Sequence, residues 1–182
     1  LEQLRPALQA REDAVCVVSI AAGVTIADMQ EVLGEGVSLI RMMQNTPVAV
    51  GEGMLVYALS PSADRSDAEA LESALSCAGR ITPLEEKLID AATAVMGCGP
   101  AFAYMFVEAL ADGGVTCGLS RRDAQLYAAQ MLLGAAKMVL ETGEHPGALK
   151  DAVCSPGGST IAGVRALEES AFRGAVIDAV VD

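Results

Sequence analysis

The stretch Val153-Cys154-Ser155-Pro156-Gly157-Gly158-Ser159-Thr160-Ile161 holds residue types suited to gripping an anion. Adjacent glycines free the backbone to turn its N–H groups inward, and the residues beyond them read as a helix start. Exposed N–H groups there, with the positive end of the helix dipole, suit a carboxylate. The hydroxyls of Ser155, Ser159 and Thr160 add donors and acceptors. The same residues also read as a plain tight connection, with Ser159 as the helix cap. A second group lies where two strands are expected to end: Ala21-Ala22-Gly23 after Ala14–Ile20, and Gln44-Asn45-Thr46-Pro47 after Val37–Met42. Ligands of open α/β sheets bind beyond the carboxyl ends of strands, and small residues there admit a planar ring. Asn-Thr-Pro is equally an ordinary turn. His145, the only histidine, reads as a proton carrier or as a charge at a helix C-terminus. No third group at a recognisable spacing makes a triad of it with Ser155. Glu108, Asp112, Glu168 and Glu169 read as solvated helix faces.

Those groups need elements to hold them. Ala14–Ile20 is a β-branched apolar run of the kind that forms a buried parallel strand. Thr25, with Asp28 three residues on, caps an expected helix to Leu33 that Gly34 closes. Val37–Met42 and Met54–Leu59 read as further strands, Ser66–Ala78 as an acidic amphipathic helix, and Gly79–Thr82 as a last short strand. Strands alternating with helices predict a mostly parallel sheet covered on both faces. After Pro83 the strands stop. Leu84–Ala94 reads as helix up to a break at Gly97-Cys98-Gly99-Pro100, and Ala101–Asp112 as another that stops at Gly113-Gly114. Ser120 caps the next helix, which Gly143 and Pro146 end, and helices follow from Ile161 onward. The expected division is an α/β domain over 1–85 and an all-helical domain over 86–182.

Composition removes several classes of function. Hydrophobic residues make up 52% of the 182 positions, enough to bury a core and to exclude disorder. Twelve Lys and Arg against 24 Asp and Glu leave a net charge of −12, which argues against nucleic acid or an anionic membrane surface as partner. With 3% aromatics and no Trp, a base-stacking platform is excluded as well. Mean hydropathy is +0.40, but the longest uncharged run, Ala91–Val107, contains the Gly-Cys-Gly-Pro break, so a buried helix is expected and not a membrane span. No basic segment leads into an apolar one at the start, so no signal peptide is expected. The opening LEQLRPALQARED reads as mid-helix, so the chain is expected to be a piece of something longer. Five cysteines without a C-x-x-C pair, and one histidine, predict reduced thiols in a cytoplasmic protein and no metal.

The run Glu141–Glu168, ETGEHPGALKDAVCSPGGSTIAGVRALE, resembles the signature of the pyrroline-5-carboxylate reductases. Val18-Ser19-Ile20-Ala21-Ala22-Gly23-Val24, Asn45-Thr46-Pro47, Gly97-Cys98-Gly99-Pro100-Ala101 and Glu108–Gly113 agree in order, so the likeness covers essentially the whole chain. Gln44, Ala94, Met96 and Cys98 depart from the residues usual in the family. The resemblance implies an α/β region followed by an all-α one: a partial Rossmann-like dinucleotide-binding domain, then a C-terminal helical dimerisation domain. It implies hydride transfer from NADPH or NADH to the C=N carbon of 1-pyrroline-5-carboxylate, giving L-proline. Backbone N–H groups from Gly157 to Thr160 would hold the substrate carboxylate, with Ser155, Gly158 and Ser159 in the same loop. The Thr160 hydroxyl would bond the ring nitrogen. Ile20, Ala21, Ala22 and Asn45 would line the nicotinamide side, and Glu86 would lie near the substrate. The family's Gly-rich phosphate loop is expected to lie ahead of Leu1. An alternative reading is a non-catalytic dimerisation remnant of the same family; a related imine or β-hydroxyacid reductase should lack this Pro-Gly-Gly-Ser-Thr loop. Phe102, Met105, Phe106, Leu132 and Met138 give the later helices apolar faces that so short a stretch can hardly bury alone. A homodimer or higher homo-oligomer is therefore expected, the sheet domain of one chain facing the Cys154–Thr160 loop of the other.

Overall fold

The computed structural model describes residues 2–11 and 13–181. Of the opening segment expected to be helical, Arg5–Gln9 forms α1, while Leu1 and Glu12 lie outside the described residues, as does Asp182 at the end. The chain divides into two compact units, Leu1–Pro100 and Ala101–Asp182.

The first unit is built on a four-stranded sheet of order β1-β2-β3-β4: β1 Cys16–Ser19, β2 Ser38–Gln44, β3 Gly53–Leu59 and β4 Gly79–Pro83. β1 and β2 pair in parallel, as do β3 and β4, but β2 and β3 are antiparallel. Two of the three pairings are parallel, in keeping with the expected mostly parallel sheet, and the one antiparallel pair makes it mixed. The cause is the connection: β2 and β3 are joined only by residues 45–52, mostly a 3-10 turn over Thr46–Val50. A parallel return needs a crossover of about a dozen residues or more. α2 (Ile26–Leu33) and α3 (Arg65–Ala74) supply the longer crossovers.

Strand alternation sorts the core onto both faces. Leu39 and Ala58 pack with Ile26, Met29 and Leu33 of α2, and with Ile89 of the short helix α4 (Ile89–Ala92). Ile40, Met42, Leu55 and Tyr57 pack with Ala68 and Leu71 of α3 on the other face. Leu39 and Ile40 are fully buried, and each such side chain contributes about 1.5–3 kcal/mol. α2 starts as its sequence predicts: the Thr25 side chain accepts from the Asp28 N–H, and the Asp28 carboxylate accepts from the Thr25 N–H. Gly34, at φ +107°, ends it.

α3 begins one residue earlier than expected because Asp64 caps it, accepting from the N–H groups of Ser66 (2.8 Å) and Asp67 (3.1 Å). Bonds from the Ser66 hydroxyl, then from the Asp67 and Ser66 N–H groups, hold the Asp64 carboxyl below its usual range. A carboxylate lowered in the folded state stabilises above its unfolded value of about 4 and loses that contribution as pH falls through the folded one. In Asp64→Asn, which keeps a capping oxygen, the unfolding midpoint should therefore fall less steeply on acidification. Thermal melts from pH 6 to 2 check this; identical acid slopes would remove Asp64 from the account.

The first unit runs on to Pro100. A 3-10 turn over Glu86–Leu88, α4 and a π turn over Thr93–Gly97 all belong to it, because Ile89 is a fully buried core residue and Asp90 is bound to the sheet by Arg41. The Gly97–Pro100 segment does not break the helical run. The Cys98 N–H bonds the Thr93 carbonyl (3.1 Å), the five-residue reach of a π turn, and Pro100 falls in the first turn of α5 (Gly99–Thr116), where helices accept it.

The second unit is helical: the rest of α5, then α6 (Arg121–Thr142), α7 (Pro146–Ala152), α8 (Ser159–Glu169) and α9 (Phe172–Val181). α5 runs through Gly113-Gly114, where a stop is expected. A Cβ on Gly114 would lie 3.1 Å from the Ala124 Cβ, so this glycine serves the close approach of α6 instead. Ser120 caps α6 as predicted, and Gly143 ends it at φ +66°. Among the described residues of this unit only Ala111, Ala124 and Ala128 are buried, while Met105 and Met138 are 68% and 51% exposed. Phe102, Met105, Phe106, Leu167, Phe172 and Val176 line an open apolar groove of about 550 Å³.

Candidate functional site

The loop before α8 is shaped by two glycines with different duties. Gly157 sits at φ +70°, where only glycine is free of strain, and turns the chain after Pro156. Gly158 has φ −79° and ψ 172°, which any residue can adopt, so its requirement is one of space. A Cβ on it would run into the Ser155 Oγ and lie 3.2 Å from the Ser155 carbonyl oxygen. That carbonyl accepts the Gly158 N–H at 3.0 Å, closing the turn. Gly158 is also the N-cap of α8, and the helix has no side-chain cap. Ser159 is the first helical residue, so its expected capping role is not taken up. The N–H groups opening α8 are left for an external acceptor, with the exposed hydroxyls of Ser155, Ser159 and Thr160 beside them.

His145 stands upstream of this loop, not as a charge at the end of α6 but as the N-cap of α7. Its Nδ1 accepts the Gly147 N–H at 3.0 Å, which requires that nitrogen to be unprotonated.

In the first unit, the parallel register sets Ser19 of β1 beside Arg41 of β2, so both strands leave the sheet at the same end. Ile20 is 55% exposed there, followed by exposed Ala21 and Ala22 and by Gly23 at φ +73°. These residues form an exposed edge where the chain leaves β1. Asn45, at the end of β2, is half-buried with both ends of its carboxamide engaged. Its Oδ1 accepts the Met54 N–H at 2.9 Å, and its Nδ2 donates to the Met96 carbonyl at 3.0 Å.

Glu86 is tied to the scaffold. Its Oε1 accepts the Ile26 N–H at 2.6 Å, at the start of α2, and the Arg41 Nη1 approaches it at 3.5 Å. The Arg41 Nη2 donates to Asp90 at 2.7 Å. Arg41 is almost wholly buried, and its Nε is an unpartnered buried donor among the described residues. Sequence reasoning missed this network; its one signal is a charged residue inside the apolar run Val37–Met42. Ile20, Ala21, Ala22, Asn45 and Glu86 belong to the first unit, and Ser155, Gly157, Gly158, Ser159 and Thr160 to the second.

Residues 86–182 match the pyrroline-5-carboxylate reductase dimerisation family. The whole chain is 49% identical to pyrroline-5-carboxylate reductase 2 of Bos taurus over 99% of its own length and 56% of that protein's. It is 48% identical to the Escherichia coli pyrroline-5-carboxylate reductase over 90% of the chain and 61% of the relative. Among solved structures, the Plasmodium falciparum pyrroline carboxylate reductase with NADP bound superposes with a TM-score of 0.89 at 34% identity, covering 98% of this chain and 71% of that one.

The chain belongs to the pyrroline-5-carboxylate reductase family. It spans 56% of the length of the bovine reductase and 61% of the bacterial one. The reductase dimerisation match begins at Glu86, inside the first compact unit, so it includes the turns bolted to the sheet by Arg41 and Asn45. The helical run Glu86–Thr116, long and apolar enough by composition alone to cross a membrane, lies within that match.

Proposed function

We propose that the chain is part of an oxidoreductase that reduces 1-pyrroline-5-carboxylate to L-proline with NADPH or NADH, the last step of proline biosynthesis. The observation that supports this reading is the uncapped start of α8 behind Gly157-Gly158, whose N–H groups suit a small carboxylate. The N–H groups of Ser159 and Thr160 hold the carboxylate, and Gly158 leaves it room. The Thr160 hydroxyl bonds the ring nitrogen and keeps its proton in place as the C=N bond becomes C–N. Ser155 lies on the rim of the same loop. When bound, the reduced nicotinamide supplies the hydride. Ile20, Ala21 and Ala22 offer it a small, exposed face, with Asn45 at the adjoining strand end. Glu86 holds the start of α2 below that edge. A cytoplasmic setting agrees with Cys16, Cys77, Cys98, Cys117 and Cys154 all being free thiols.

The exposed apolar faces of the second unit support a homodimer or larger homo-oligomer as the working form. They would serve equally in a dimerisation remnant without catalysis, and one set of measurements separates the two. Light scattering at micromolar concentration should show at least a dimer in either case. Consumption of NADPH or NADH dependent on pyrroline-5-carboxylate is expected only of the reductase. A clean monomer would overturn the assembly, and a dimer that binds neither nucleotide would leave the remnant reading.

A further inference from the structure

We propose that Asn45 is a positioning residue whose carboxamide takes over the hydrogen bond that Pro100 cannot make, fixing the end of β2 to the helical run Glu86–Thr116. In an α-helix the carbonyl of Met96 would accept the N–H four residues on, and that residue is Pro100, which has none. The carbonyl is instead met by the Asn45 Nδ2 at 3.0 Å. The other end of the same carboxamide accepts the Met54 N–H at 2.9 Å, holding the turn that returns β2 to β3. One side chain therefore joins three segments: the end of β2, the start of β3 and the π turn over Thr93–Gly97.

Arg41 strengthens the argument. Four residues before Asn45, it gives the same helical run a second tie, through Asp90 at 2.7 Å. Asn45 follows β2 directly in extended backbone (φ −118°, ψ 167°), so its side chain continues the strand face that carries Arg41. The carboxamide gives one of its two N–H donors to Met96 and its oxygen to Met54, so its orientation is set by the scaffold. Asn45 thus serves the nicotinamide edge by fixing the Thr46–Val50 turn beside it. This function rests on the reading of the β1 and β2 ends as the nicotinamide side.

The test is a double-mutant cycle in the full chain, with Asn45→Ala, Pro100→Ala and the pair. Asn45→Ala removes both bonds and should lower the melting temperature by about 4–8 °C in a chain this size. It should also raise KM for the nicotinamide cofactor about five-fold, with kcat within about two-fold. Pro100→Ala restores an N–H for Met96 but leaves the Met54 bond lost, so in its background both effects of Asn45→Ala should shrink by about half. If Asn45→Ala folds poorly, Asn45→Asp serves instead: it keeps the acceptor for Met54 and replaces the donor with a carboxylate oxygen facing the Met96 carbonyl. An undiminished effect in the Pro100→Ala background would overturn the proposal, as it would mean that Asn45 does not act through Met96. A melting temperature that recovers while KM never moved would reduce Asn45 to a purely structural brace and overturn its positioning function. Wild-type chain that binds no NADPH or NADH would defeat the reading of the edge, and the thermal cycle would still decide the Pro100 compensation.

Discussion

Gly158→Val is expected to lower kcat/KM for pyrroline-5-carboxylate by at least about 10³-fold, a loss of about 4 kcal/mol, with most of it in KM. The backbone at Gly158 is not the obstacle, since φ −79° suits valine. The side chain is. Its Cβ meets the Ser155 hydroxyl and sits close to the Ser155 carbonyl oxygen, and its methyl groups stand where a carboxylate must approach the α8 N–H groups. Gly157→Ala is a different perturbation: at φ +70° it strains the turn by about 1 kcal/mol without filling the receptor. Steady-state kinetics decide the matter. A Gly158→Val protein with normal KM would abolish the carboxylate receptor.

Thr160→Ala is expected to lower kcat/KM by about 10- to 1000-fold, roughly 1.4–4 kcal/mol of transition-state stabilisation, mainly through kcat. α8 has no side-chain cap, so removing this hydroxyl takes no cap away and the melting temperature should stay put. Ser159→Ala should matter less, because its contribution is the backbone N–H and alanine keeps it. An unaltered kcat/KM in Thr160→Ala would take the hydroxyl out of the mechanism. A large drop in melting temperature would mean that it does structural duty instead.

Features that rest on a local rule were legible in the sequence. The Thr25–Asp28 capping box, the Gly34 and Gly143 stops, the Ser120 cap and the Gly157 turn each depend on residues a few positions apart. So does the α8 start, where Pro-Gly-Gly before Ser-Thr marks both the turn and the helix. Features that depend on distant partners were not legible. Nothing near Glu86 announces that its carboxylate reaches the Ile26 N–H, sixty residues away in the chain. Asn45 in Asn-Thr-Pro reads as a turn or a cofactor contact until Met96 is placed beside it. The mixed sheet was hidden for another reason. Apolar runs give strand positions, while strand direction follows from connection length, and the segment 45–52 had to be weighed against what a crossover needs. Gly113-Gly114 misled because close packing of α6 selects glycine as strongly as a helix stop does.

The short connection between β2 and β3 also orders events in time. Residues 45–52 close a smaller loop than 20–37 or 60–78, and each doubling of loop length adds about 0.6 kcal/mol to the entropy of closure. The antiparallel pair is therefore the cheapest long contact for the unfolded chain to make, and it should form while the flanking strands are still loose. Asn45 straddles that sequence. Its bond to Met54 closes nine residues within that pair, whereas its bond to Met96 closes a span of 51 and carries the larger loop cost. Refolding rates should accordingly respond to substitutions that loosen Met54, such as Met54→Pro, while Pro100→Ala changes mainly the rate of unfolding.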